Sequence, residues 1–281
     1  MSVIPLRYAG SPGRDAARGY RVVTNRDEQR DRTGAEPPRW RRLSAGGEAV
    51  VCPIDPMGGG TWVAATLGGL TLCLLNGNPR PYPALPPAGR LRSRGGIIPE
   101  LLGLGEVSPA EAVDALADMD LEAFAPFTLL AIGLERGGTG ERAKICRAAW
   151  SRSSLVRSVV TAACVCEVSS GLGDDLVQPR LPLFWAIMSE HGHGPLAQDR
   201  FHAHAWPERP EISVMMSRPD ARTVSVTTVE VSARPGEPAR VRMTYRPIGT
   251  ASPDAPLRTS LEGASSDGGA GVPIVSGAWK T

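Results

Sequence analysis

Tyr20-Arg21-Val22-Val23-Thr24-Asn25-Arg26-Asp27-Glu28 runs from a short apolar stretch directly into an amide, a guanidinium and two carboxylates. The β-branched run predicts a strand, and it delivers four chemistry-bearing side chains to the strand's end. Taken alone, such a cluster reads as a solvated charged cap. Two later segments have the composition of further parts of one site: Gly58-Gly59-Gly60-Thr61-Trp62 and Leu74-Leu75-Asn76-Gly77-Asn78.

Bulk properties narrow the classes of function. A chain of 281 residues can bury a substantial core. Its net charge of +2 sets up no strong field for nucleic acid. No apolar run is long enough to cross a bilayer, and Val3, Ile4 and Leu6 give way at once to Arg7, Tyr8 and Gly10, unlike a secretory signal. Five cysteines without such a signal suggest free thiols in a reducing compartment. The expectation is a cytoplasmic protein with no membrane span and no nucleic-acid partner.

Along the chain, Ser2 to Leu6 and Tyr20 to Thr24 predict a hairpin with a long loop over residues 10 to 19, and Pro5 confines the first strand to an edge or bulge. Arg30 to Gly47, rich in Arg and holding Pro37-Pro38, reads as a solvated loop. Val50 to Pro53 predicts a strand. Thr61 to Thr66 and Leu70 to Leu75 predict a second hairpin turned at Gly68-Gly69. A Pro- and Arg-rich excursion covers Pro79 to Arg94, and a helix starts near Ile97. Ser108-Pro109-Ala110-Glu111 carries a capping hydroxyl, a first-turn proline and a glutamate three residues on, marking another helix. Phe127 to Ile132, Ala143 to Cys146 and Val165 to Ser169 read as strands, and Leu183 to Met188 as helix. Ile212 to Met216, Thr223 to Val231 and Val241 to Tyr245 alternate as antiparallel strands with one buried face. Residues 250 to 281 turn to Gly, Ser, Ala, Pro and Asp, which predicts a disordered tail after a domain over residues 1 to 249. Strands early and late with helices between give an α+β layered domain.

Asn25 to Glu28, Gly59 to Trp62 and Leu74 to Asn76, in that order and spacing, resemble the NRDE-motif family, also called the transport and Golgi organisation family. Softer matches at Ser169 to Asp174 and Phe201 to Trp206 extend the likeness from about Tyr20 to Tyr245. The resemblance implies a fold of the N-terminal-nucleophile hydrolase type, a four-layer α-β-β-α sandwich of two antiparallel sheets flanked by helices. It implies an amide-bond hydrolase acting on a small acylated substrate. It also admits a non-enzymatic carrier or chaperone for haem or another hydrophobic small molecule.

Such an enzyme attacks an amide with the side chain of its first mature residue, whose own α-amine, with an ordinary pKa of roughly 8, takes the proton. Ser2 meets the minimum requirement once Met1 is removed; an ordinary strand-end serine is the alternative. Bacterial members open Met-Cys-Thr before a Val-Ser-Val-Ile-like strand, so Ser2-Val3-Ile4 matches the strand interior and the family nucleophile falls just upstream of Met1. The resemblance sets Arg26 and Asp27 beside the nucleophile, the guanidinium favouring a neutral amine or thiolate and the carboxylate orienting the amine. Asn76 could stabilise an oxyanion or simply form an Asn-Gly turn. Asn25, Glu28, Gly60 and Thr61 fall on the substrate side. The glycines allow close backbone approach, and without a Gly-Lys-Ser/Thr ending they are no phosphate loop. His202 and His204, read on a strand, would point the same way, but no acidic or Cys partner at metal spacing accompanies them. No metal and no cofactor is expected. Cys164 and Cys166 read as one face of a buried strand.

Overall fold

The structure is a computed structural model and describes residues 1–7, 18–42, 47–135, 142–162, 164–234, 237–249, 259–264 and 275–276. The chain opens with β1 (Ser2–Arg7), β2 (Arg18–Gln29), β3 (Glu36–Arg42), β4 (Ala49–Ile54), β5 (Val63–Thr66) and β6 (Thr71–Asn76). Two helices follow, α1 (Ile97–Gly103) and α2 (Pro109–Asp114), then β7 (Phe127–Glu135), β8 (Arg142–Trp150), β9 (Leu155–Val160) and β10 (Val165–Cys166). After α3 (Arg180–His191) and α4 (Pro195–Ala203) come β11 (Ala221–Ala233), β12 (Arg240–Pro247), β13 (Thr259–Ala264) and β14 (Val275–Ser276).

The strands form two sheets. A six-stranded sheet has the order β10-β1-β2-β11-β12-β13, and an eight-stranded sheet the order β14-β3-β4-β5-β6-β7-β8-β9. Every pairing is antiparallel except β14 on β3. Alternation along each strand sends one set of side chains inward between the sheets and the other outward to helices. Val3, Tyr20, Val22, Val229, Val231 and Met243 from one sheet meet Trp40, Val51, Val63, Leu130 and Ile145 from the other. On the outer face of the larger sheet, Leu72, Leu129 and Ala148 pack against Ile98, Leu101, Val113 and Leu116 of α1, α2 and the turn after α2. On the outer face of the smaller sheet, Ile4 packs with Phe184, Met188, Ala197 and Phe201 of α3 and α4. The result is the four-layer α-β-β-α sandwich, with three apolar seams.

Local rules account for most elements. The Ser108 and Glu111 capping box forms with both of its bonds at α2. Gly69, at φ 91°, turns the β5–β6 hairpin where a Cβ would be strained. Pro5 is tolerated because β10 pairs only with Ser2 and Val3, leaving the Pro5 stretch at an open edge. Tyr20, fully buried, joins the layers: its hydroxyl lies 2.7 Å from the Gly69 carbonyl, 2.9 Å from Thr71 Oγ1 and 3.0 Å from the Ile132 carbonyl.

Several expectations need correction. The supposed loop over Arg30 to Gly47 contains β3, whose Trp40 is buried between the sheets; a bulge between Glu36 and Arg39 accommodates Pro37-Pro38. Ile212 to Met216 is not a strand: a short 3-10 turn over Pro210–Ile212 leads into an irregular segment. The last third also holds α4, which places His202 on a helix rather than a strand. Within the tail expected to be disordered, Thr259–Ala264 pairs along β12 and Val275–Ser276 along β3, because open sheet edges supply backbone partners that composition does not reveal. The rest of that tail, and the loop over residues 10 to 17, lie outside the described residues.

Candidate active site

The site exists because β2 is longer than the strand beside it. Pairing of β1 with β2 begins at Ser2 opposite Val23, whereas β2 continues to Gln29 with β11 alongside it on the other side. Met1 is tied down there: its ammonium donates to the Glu167 carbonyl, and the Glu167 amide donates back to the Met1 carbonyl, each at 2.9 Å. Beyond Met1 opens a cavity of about 610 Å³. Met1, Asn25, Arg26, Asp27, Glu28, Gly60, Thr61 and Asn76 all line it.

Strand alternation divides the β2 cluster between two sides. Arg26 and Glu28 lie on the face toward the larger sheet. The Arg26 guanidinium, 8% exposed, stands 3.1 Å from Glu28 and 3.2 Å from Asp55, with its carbon 4.7 Å from the Trp62 ring centre. Arg32 closes the group, 2.6 Å from Asp55 and 3.4 Å from Glu28. Two arginines and two carboxylates thus form a compensated network, as buried charge requires. Burial raises the Asp55 pKa, but the Met57 amide and the two arginines outweigh it and hold the carboxyl below its ordinary range.

Asn25 and Asp27 lie on the opposite side, toward the helices. The Asp27 carboxylate accepts from the Thr223 hydroxyl at 2.6 Å. Burial raises its pKa, against the pull of Thr223, Arg180, the N-terminal ammonium and Arg218. Asn25 Nδ2 donates to the carbonyls of His202 and Val214, at 3.0 and 2.9 Å. Its Oδ1 therefore accepts from His202 Nδ1–H at 2.9 Å, which leaves His202 Nε2 to accept the Ser2 hydroxyl proton at 2.8 Å. Gln198 donates to both the Ser2 hydroxyl and the Ser2 carbonyl, at 2.9 and 3.0 Å. Burial, then the nearby N-terminal ammonium, Arg21 and Arg180, push the His202 pKa well down, so the ring is neutral.

Ser2 is therefore not brought to the cavity with the other expected residues. It is fully buried against α4, on the same face as Ile4. Met1 holds the position facing the cavity, one residue earlier and on the other side of the strand. Asn25 lines the cavity, yet its amide is committed to holding α4 and the segment around Val214. Thr61 is likewise inward, donating to the Val63 carbonyl. Asn76 is exposed to the cavity, and its side chain makes no hydrogen bond among the described residues, while its carbonyl accepts from Ser169 at 2.5 Å.

The glycine segment approaches a turn, not the β2 strand. A Cβ on Gly60 would lie 2.3 Å from the Gly95 carbonyl group, and Thr61 N donates to Gly95 O at 3.1 Å. That contact presents Arg94 to the cavity. Asp55, Arg32, Arg94 and Arg180 were not legible as site residues; Arg32 lies in the turn just after β2, and the other three stand on loops or a helix remote in sequence from it. The histidines assemble no metal site, since both His202 ring nitrogens are taken, and among the described residues no three His, Cys, Asp or Glu side chains could hold a metal ion. No helix among them is long and apolar enough to cross a membrane.

Residues 15–164, which carry β2 and the glycine segment, match the model of the family described as Transport and Golgi organisation 2. The chain belongs to that family. This Transport and Golgi organisation 2 member is also similar to a solved structure described as the Caenorhabditis elegans N-acylethanolamine-hydrolyzing acid amidase (NAAA) ortholog. The identity is 14%, over 81% of this chain and 91% of that one, with a TM-score of 0.49. No curated protein matches the chain.

Proposed function

We propose that the cavity is the active site of an amide-bond hydrolase of the N-terminal-nucleophile type, acting on a small acylated substrate, with a nucleophile on β1 two positions before Met1. The observation carrying this reading is the register. Ser2 pairs with Val23, and the same register carried outward takes Met1 to Thr24 and the first residue of a strand lengthened by two to Arg26, on Met1's face. A cysteine there faces the cavity with its α-amine near Asp27. Ser2 is a poor nucleophile by comparison, being enclosed and shared between His202 and Gln198.

In that arrangement the thiolate attacks the substrate carbonyl carbon, and the oxyanion that forms meets the Asn76 amide. The C–N bond breaks as the α-ammonium gives its proton to the leaving amine. Water then cleaves the thioester, releasing the acid and restoring the thiol. Asp27 orients the α-amine, and the fixed Arg26 cation favours thiolate. A carrier for haem or another hydrophobic molecule fits less well, because six arginines and four carboxylates line the cavity.

The test compares three proteins against a panel of N-acyl amides: the chain as it stands, its Ser2→Ala variant, and a form with Cys-Thr placed before Met1. Release of amine by the Cys form alone supports the reading. Equal background in all three, or activity that depends on Ser2, removes it.

A further inference from the structure

Of the six arginines on the cavity wall, four have carboxylate partners: Arg26 and Arg32 in the Asp55 network, Arg92 with Glu100, and Arg218 with Asp220 at 2.9 Å. Arg94 and Arg180 do not; among the described residues no carboxylate oxygen lies within 4 Å of either. Arg180 is 6% exposed and spends its guanidinium on three backbone carbonyls, Ile212 at 2.9 Å, Ser169 at 3.3 Å and Ser213 at 2.7 Å. It is a fixed positive wall. Arg94 differs: NH1 donates to the Pro126 carbonyl at 2.9 Å and the guanidinium also hydrogen-bonds the Tyr82 side chain, which leaves donors over on a half-buried fork of five.

The scaffold holds Arg94 there. It begins a 3-10 turn whose N-cap, Ser93, accepts from the Gly95 amide, and Gly60 packs backbone to backbone against Gly95. Burial lowers the Arg94 pKa, with Tyr82 and Asp174 working against it, as for a cation short of compensation. The cavity lining also includes apolar side chains: Met1, Leu74, Leu75, Leu91, Phe201 and Met216. A planar fork of donors in a cavity that also carries apolar side chains suits an amphipathic anion.

We infer that the cavity takes an amide bearing a carboxylate, an N-acyl amino acid, with Arg94 as the residue that recognises the carboxylate and Arg180 reinforcing the field. This rests on reading the cavity as a substrate pocket, and it deepens that reading by fixing the substrate's charge. The acyl chain packs on the apolar side chains of the lining while the carboxylate meets Arg94.

The test is calorimetric titration of the chain with N-hexanoylglycine and with its neutral counterpart, N-hexanoylglycinamide. The acid binds at least about tenfold more tightly, and added salt weakens that preference. Arg94→Gln abolishes the preference, Arg94→Lys keeps part of it, and Arg157→Gln, on β9 and paired with Asp114, leaves it unchanged. Circular dichroism of each variant shows that the fold is intact. Equal affinity for the two ligands, no binding of either, or a preference that survives in folded Arg94→Gln overturns the inference. Because binding is read without turnover, charge discrimination in a protein that never hydrolyses amides leaves the anion site standing and removes the hydrolase. Hydrolysis without discrimination does the reverse.

Discussion

The Ser2 hydroxyl and His202 Nε2, 200 positions apart in sequence, lie 2.8 Å apart in a buried chain of hydrogen bonds that ends on Asn25. Serine, histidine and asparagine in a row have the form of a nucleophilic relay, and His202 and Asn25 line the cavity, but the serine is fully buried and is not part of its wall. The relay acts as a fastener, fixing the start of β1 to α4. Ser2→Ala leaves the His202 acceptor unmet, while Gln198 keeps the Ser2 and Arg21 carbonyls, and is expected to cost about 1–3 kcal/mol in urea unfolding. Hydrolysis by the Cys-extended form should be unchanged by it.

The same histidine gives stability a pH dependence of known sign. Its folded pKa lies well below the ordinary 6.5. As pH falls below about 6.5 the unfolded chain takes up a proton that the native chain refuses, so native stability declines from there toward the folded pKa. Asp27, raised in the folded state, has the opposite slope and gains as pH falls through its own folded pKa. The difference between wild type and His202→Gln isolates the histidine. The variant should be less stable at pH 7 but lose less on going to pH 5, as read by denaturant midpoints at each pH.

Gly60 should tolerate no side chain. A Cβ placed 2.3 Å from the Gly95 carbonyl must move backbone, not a flexible side chain. Gly60→Ala is expected to cost about 1–3 kcal/mol and to displace the turn that carries Arg94. Thermal unfolding reads the first effect and hexanoylglycine affinity the second.

Tyr20→Phe removes the hydroxyl that reaches from the smaller sheet to the β5–β6 turn. Three oxygens within 3.0 Å lose that partner in a buried seam. A loss of about 1–2 kcal/mol is expected at the urea midpoint, with no change in ligand affinity.

What sequence made legible was local. Asn25 to Glu28 sit on one strand, and neighbouring positions fix their pattern without any knowledge of the fold. The Ser108 capping box and the Gly68-Gly69 turn are similarly short-range, and each forms where expected. Trp40 in β3 was hidden because Pro37-Pro38 and three arginines mask a strand whose identity depends on β4 beside it. The helix carrying His202 was missed since its apolar positions, Ala197 and Phe201, make a weak stripe. The facing of Ser2 could not be read at all: it follows from a register between two strands, and a shift of one residue reverses every side chain. Arg94 and Arg180 reach the cavity from elements remote from β2, which no spacing rule connects.

The proposed place of the nucleophile is tested most directly by incubating the Cys-extended chain with p-nitrophenyl hexanoate and locating the acyl group by intact mass and peptide mapping. One hexanoyl group is expected on the added cysteine, forming more slowly in Asp27→Asn and absent from the chain that begins at Met1. Acylation of Ser2, or equal labelling of the chain with and without the cysteine, would contradict it.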